Sequence, residues 1–489
     1  MKRLRKILLW VVLPLVALLV IAVVVVTMLV SSSLTRDAIA ERIESEKNCR
    51  VLLDSVDASL LGGKIVLNNL VLLERDEHAD AGTPLDDRPP PAASQTGIRV
   101  KRVEMNAKLI DLLKKKVTVH DLTFDGLDVS FLINRENEDD STTLDGLFDP
   151  PQTISGKPNN DYAEKKKRRE VAKARSMLKP DDPAREELDT FNIEELPLPA
   201  TMDKLVIKNS SVFMKIRKDK TRIRLYDINL TLTDLDIDPD DLANHNKARL
   251  GLDCRLDVTG RDKVTVYADL DLHGEGDIAP FDTATGLFNP NLITRATIKE
   301  GSEIFSLPLI KKLASALDKL KKAGLDVTDL EDTLVVKEDA TLRLGWRDAV
   351  LQTADPVSVN LNGHHLQMEA GSWLHTGSNE HKINGELTFS QNTSDSAFGR
   401  ANAFLAKLEL LDEATVKQIA DLLFSPVTKN GRLYVPFVSS GDFGRPKVRP
   451  RVELVDLSDL LKDEAKEGAL NLLDQLIRNR KSEADPAEK

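Results

Sequence analysis

Aromatic residues make up only 4 % of this 489-residue chain. That scarcity excludes the stacking platforms on which bases or sugars are read. The net charge is −11, so no overall basic field gathers nucleic acid, and no nucleic-acid partner is expected. Cysteine is almost absent: Cys49 and Cys254 alone make no disulfide framework, and both read as buried thiols. Nucleophile-elbow, zinc-protease, Walker A and complete dinucleotide-binding glycine patterns are all missing. Gly274-Glu275-Gly276 lacks the third glycine of the last of these. The reading is therefore a non-enzyme with no cofactor.

Two clusters resemble metal sites in composition. Asp234, Asp236, Asp238, Asp240 and Asp241 lack the glycine and glutamate that complete a calcium loop. They read better as the wet face of a strand ending in a turn. His375 and His381 flank a five-residue turn and offer two ligands toward zinc, without a third at suitable spacing. A metal-dependent hydrolase built on them is the remote alternative.

What the chain does have is one long apolar run. Ile7 to Val30, including Trp10 and Pro14, gives 24 residues without a charge. A bilayer core of about 30 Å needs roughly 20 apolar residues, so the run is long enough to span. Proline is tolerated in such helices. Lys2, Arg3, Arg5 and Lys6 precede it, which favours a cytoplasmic N-terminus and export of everything after Ser31. A cleaved signal peptide is the rival, but its apolar core usually runs about 7–15 residues.

Beyond the anchor, a short polar helix is expected at Thr35 to Lys47, and then strand alternation dominates. Leu252, Cys254, Leu256 and Val258 alternate with polar residues, as do Val264, Val266, Ala268, Leu270 and Leu272. Together they predict a hairpin with one apolar face, the candidate lining of a groove. Ala340 to Trp346 and Val357 to Leu361 repeat the alternation, the latter running into the turn pair Asn362-Gly363.

A pattern also recurs: apolar at 0 and +2, Asn or Asp at +4, apolar at +7. Its copies are Ile65, Leu67, Asn69, Leu72; Val117, Val119, Asp121, Phe124; Leu205, Ile207, Asn209, Val212; and Ile223, Leu225, Asp227, Leu230. The apolar face changes parity within each copy, which a regular strand cannot do. A β-bulge near the Asn or Asp resolves this, since those residues tolerate left-handed backbone. The sheet should curl around its apolar side.

The resulting division is a cytoplasmic stub at 1–6, a transmembrane helix at 7–30 and an N-terminal β region at 31–134 with a mobile loop at 81–97. A disordered or partly helical linker follows at 135–196, then a middle β region at 197–300. An amphipathic helical segment spans 301–330, with Leu309, Leu313, Ala316, Leu317 and Leu320 on one face. Its lysines suit either an anionic membrane surface or a helix capping a sheet. A C-terminal β region at 331–453, with helices at 401–424, precedes a final helix and charged tail at 454–489.

Several segments resemble the AsmA family. They are the N-terminal anchor, NCRVLLDSVDASLLGGKIVLNNLVLLE at 48–74 and IRVKRVEMNAKLIDLLKKKVTVHDLTFDGLDVSFLINRE at 98–136. LPATMDKLVIKNSSVFMKI and RLYVPFVSSGDFGRPKVRPRVELVDLSDLL at 432–461 continue it. The motifs are strand patterns and cover about half the exported chain. The resemblance implies an inner-membrane, single-pass protein whose periplasmic bulk forms a curved antiparallel groove with amphipathic helices. It further implies passage of phospholipid, or another role in outer-membrane biogenesis, with membrane lipids and envelope proteins as partners. An envelope scaffold with a closed β core is the alternative. Some 20 strands in one line would reach about 90–100 Å.

Overall fold

The computed structural model describes residues 35–451, apart from 60–62, 76–95, 109–116, 134–141, most of 145–198, 217–219, 261–265, 287, 306–324, 326, 328–330, 349, 376–379, 407–416, 418–419, 421–423 and 443–446. The 7–30 run with its four preceding cations, the 309–320 helical face, the 81–95 part of the loop and the 454–489 tail lie outside the described residues, as does most of the 135–196 linker.

The chain is mainly β. Its order is α1 (Arg36–Glu46), β1 (Cys49–Leu52), β2 (Ser55–Ser59), β3 (Lys64–Glu74), β4 (Gly97–Ala107), β5 (Val117–Ile133), and the two-residue strands β6 (Thr153–Ile154) and β7 (Lys157–Pro158). Long strands follow: β8 (Ala200–Ile216), β9 (Arg222–Ile237), β10 (Asn246–Thr259), β11 (Val266–Phe281) and β12 (Phe288–Ile298). Shorter ones are β13 (Glu303–Phe305), β14 (Thr333–Val335), β15 (Ala340–Arg347), β16 (Val350–Thr353), β17 (Val357–Leu361), β18 (His364–Met368) and β19 (Trp373–His375). β20 (Glu380–Thr388), α2 (Gln391–Ala406), β21 (Thr428–Lys429), β22 (Arg432–Asp442) and β23 (Lys447–Pro450) complete it.

All strands but β6 and β7 belong to one open sheet of 21 strands. β1 and β2 share the outer edge of β3. From there the pairings run β3-β4-β5-β8-β9-β10-β11-β12-β15-β16-β19-β20-β22-β23. At about 4.8 Å per step, that line spans about 62 Å, short of the reach expected from twenty strands in a row. The difference arises because β13 shares an edge of β11 with β12, and β18 shares an edge of β20 with β19.

One seam departs from the expected antiparallel sheet. β5 and β8 pair in parallel from Val117↔Ala200 to Ile133↔Ile216. Parallel neighbours need a crossover longer than a hairpin turn, and the 134–199 stretch between them supplies the length.

The short polar helix forms as expected. Thr35 caps it, accepting from the Ala38 N–H at 3.3 Å, and it buries Ile39, Ala40 and Ile43 in the core. The helix expected at 401–424 begins earlier, at Gln391. Ser390 accepts from the Ser394 N–H with its carbonyl and from the Thr393 N–H with its hydroxyl, so the cap sits there.

The recurrent pattern marks kinks. Asn69, Asn209 and Asp227 all adopt left-handed backbone, with φ of 53°, 51° and 51°. In the remaining copy the register shifts at His120, beside Asp121, while the left-handed backbone comes at Gly126, φ 67°. The better frame there is Leu122, Phe124, Gly126, Leu127, Val129, because glycine enters the left-handed region without a Cβ penalty. A further copy, Leu230, Leu232, Asp234, Leu235, Ile237, has Asp234 at φ 55°.

These kinks line up. Asn69 and Gly126 both lie opposite Lys101. Gly126-Leu127 then faces Asn209-Ser210 across the parallel seam. Register slips beside Ser210 and Cys254 carry the same break to β9 and β10. A single crease thus crosses six strands. A second runs from Ala107 through His120, Asp203 and Asp234 to Ala248, and there His120 Nδ1 lies 2.7 Å from Asp203 Oδ2.

Candidate apolar groove

The creases keep one face of the sheet apolar across strands of shifting register. Leu67, Val103, Phe124, Ile207, Leu230, Leu252, Gly274, Ala296 and Leu342 stand directly opposite one another in sequence, from β3 to β15. Farther along the same strands, on the same face, Ala248, Ile278, Leu292 and Trp346 form a parallel row that Leu351 and Leu374 extend to β19.

Burial changes along the first row. Leu67, Val103, Phe124, Ile207 and Leu230 are between 0 % and 6 % exposed. From Leu252 onward, every residue of the row is only half-buried. Side chains of the N-terminal core, with α1 among them, fill the face over β1 to β8. Over β10 to β12 the cover is only partial: Leu250, Leu252, Leu256 and Val258 still pack against the margin of that core, and among the described residues the apolar surface beyond them meets solvent. A smaller cluster on Leu334, Val336, Val357, Val359 and Leu361 resumes it beyond.

The expected hairpin supplies the centre of this open stretch. Leu256 pairs with Leu270, Cys254 with Leu272 and Val258 with Ala268. Leu252, Leu256, Val258, Leu270 and Leu272 are all half-buried. Val266 departs from expectation: a register slip after Val258 places it opposite Thr259, and it is 44 % exposed. Val264 lies outside the described residues. Burial pushes the Cys254 thiol up to about 11, helped by Asp253 and Asp271, so it is a poor nucleophile.

The opposite face of the same strands is ionic. Arg255 pairs with Asp269 at 3.3 Å, His273 with Asp253 at 2.6 Å and Arg295 with Glu275 at 3.6 Å. All are solvent-exposed cross-strand pairs, each contributing little to stability. Their effect is to mark which side is wet.

The histidines flanking the expected turn do not converge on open space. Both are buried; His381 bonds the Gly441 carbonyl and Ser439 hydroxyl, each at 2.7 Å. His375 stands opposite Val350 on β16. The aspartate run follows the strand-then-turn reading. Asp236 meets His245 at 2.7 Å, and Asp238 Oδ1 accepts from the Asp240 N–H in the turn. Among the described residues no group of three or more His, Cys, Asp or Glu is placed to hold a metal ion.

Among the described residues no helix is long and apolar enough to cross a membrane. No family model and no curated protein matches the chain.

Proposed function

We propose that this protein is a non-enzymatic, AsmA-type envelope protein, held in the inner membrane by residues 7–30, whose sheet binds or conducts phospholipid along its apolar face. The observation that carries the reading is the loss of burial along the continuous row at Leu252, Gly274, Ala296 and Leu342. A face with no charge and partial solvent access holds acyl chains by desolvation alone, at about 0.8 kcal/mol per buried CH₂. Headgroups stay at the rim, beside the ionic face. The two creases supply the bends that curl the sheet about its apolar side.

The test is to purify the chain, extract it and identify bound lipid by mass spectrometry, alongside transfer between liposomes. Co-purifying phospholipid and measurable transfer support the reading; absence of both overturns it. A second reading, an envelope scaffold with a closed β core, draws on the filled face over β1 to β8. It would show neither lipid nor transfer, with partners captured instead.

A further inference from the structure

His364, the first residue of β18, is 2 % exposed and enclosed by three separate stretches of chain. Its Nδ1 accepts the Ser390 backbone N–H at 3.1 Å. Its Nε2 lies 3.3 Å from Glu331 Oε2, just ahead of β14. The Phe389 ring packs edge-on at 5.9 Å. Arg432 at the start of β22 donates to the Phe389 carbonyl at 2.7 Å and to the Gly363 carbonyl.

Nδ1 can accept only while it carries no proton, so this geometry requires the neutral imidazole with its hydrogen on Nε2. The N–H it accepts belongs to the residue that caps α2. Ser390 in turn receives the Ser394 N–H and hydroxyl on its carbonyl at 2.9 and 2.8 Å. Ser394 Oγ then accepts the Leu433 N–H at 3.0 Å. One chain of bonds therefore joins the β17–β18 turn, the start of α2 and β22.

We propose that His364 is an acid-sensitive latch: a proton on Nδ1 expels the Ser390 N–H and frees the α2 N-terminus from the β17–β18 turn. The added cation would also sit at a helix N-terminus, where positive charge is unfavourable. Of the charged groups facing the ring, Glu331 favours the protonated form, whereas Arg432 and neighbouring His365 oppose it. Desolvation is the largest influence and, with those two, holds the imidazole below its ordinary 6.5.

The test is amide hydrogen exchange on the full chain from pH 7.5 to 5.0, with each rate divided by its intrinsic value at that pH. Protection of the Ser390, Thr393, Ser394 and Leu433 amides, the donors in this chain of bonds, should fall about tenfold or more in the wild type as the latch opens. His364→Asn, whose side-chain oxygen accepts without titrating, should hold protection level. Glu331→Gln removes the charge favouring protonation and should move the midpoint to lower pH. Constant wild-type protection, or an equal fall in His364→Asn, overturns the latch. Should His364→Asn lack protection even at pH 7.5, the Glu331→Gln midpoint decides: a downward shift supports the latch and an unmoved one overturns it.

Discussion

Asn209 donates from Nδ2 to Asp125 Oδ1 at 2.9 Å, bridging the parallel seam between β5 and β8 at the crease. That bond is the first cause holding the Asp125 carboxyl below its ordinary value, with Lys208 adding to it. Asn209 also holds φ at 51°. Both properties belong to one residue, and they separate by substitution. Asn209→Gly keeps the kink and loses the bond; Asn209→Val loses the bond and forces a β-branched residue into left-handed backbone, costing about 1–2 kcal/mol more. Urea denaturation of the two variants checks the order, and equal midpoints would contradict it.

The fall in burial along the apolar row predicts unequal tolerance on one face. Phe124 is 0 % exposed, so Phe124→Ala should cost about 3–5 kcal/mol. Leu252 stands in the same row but half-buried, and Leu252→Ser should cost about half that or less while weakening lipid retention. Thermal midpoints and lipid content of the same samples give both readouts.

Cys254 gives a pH prediction with a definite sign. Its thiol is raised from 9.0 to about 11 in the folded chain. Between those values the folded state keeps the proton that the unfolded state has lost, so stability falls as pH rises through that window. Cys254→Ala should be less sensitive to alkali than the wild type between pH 8 and 10.5. Alkylation of Cys254 at pH 8 should be slow in the native chain and fast in denaturant.

The proposed anchoring by residues 7–30 makes a simple prediction. Deleting residues 1–30 should move the chain from the membrane to the soluble fraction, and replacing Lys2, Arg3, Arg5 and Lys6 with neutral residues should scramble its orientation. Fractionation and protease accessibility on each side of the membrane read the two effects.

Local patterns carried much of this fold. The alternation of Leu252 to Val258 against Ala268 to Leu272 located the β10–β11 hairpin. Asn362-Gly363 formed the β17–β18 turn, with φ of 52° and 83°. The parity change at Asn69, Asn209 and Asp227 located three kinks, because a period-two face cannot otherwise shift. Asp121 marked the register shift at its neighbour His120 but not the left-handed backbone, which Gly126, five residues on, bears at lower cost. Asp234 was read only as wet surface for a similar reason: exposure and left-handed backbone favour the same residue types. The parallel seam had no local signal, since Val117 to Ile133 and Ala200 to Ile216 alternate alike in either direction. The burial gradient was equally hidden. Leu230 and Leu252 are the same residue type in the same row, and only long-range packing makes one closed and the other open. His364 offered no signal either, because its role comes from Ser390 and Glu331, distant in sequence.

On the proposed function, lipid rests on the half-buried face of β10 and β11 and not on the reverse face. Photo-crosslinking residues placed one at a time at Leu252, Asp253, Arg255, Leu256, Leu270 and Asp271, in chain exposed to radiolabelled phospholipid, read it directly. Lipid adducts are expected at Leu252, Leu256 and Leu270 and none at Asp253, Arg255 and Asp271. Labelling without that alternation, or no labelling at any position, would contradict it.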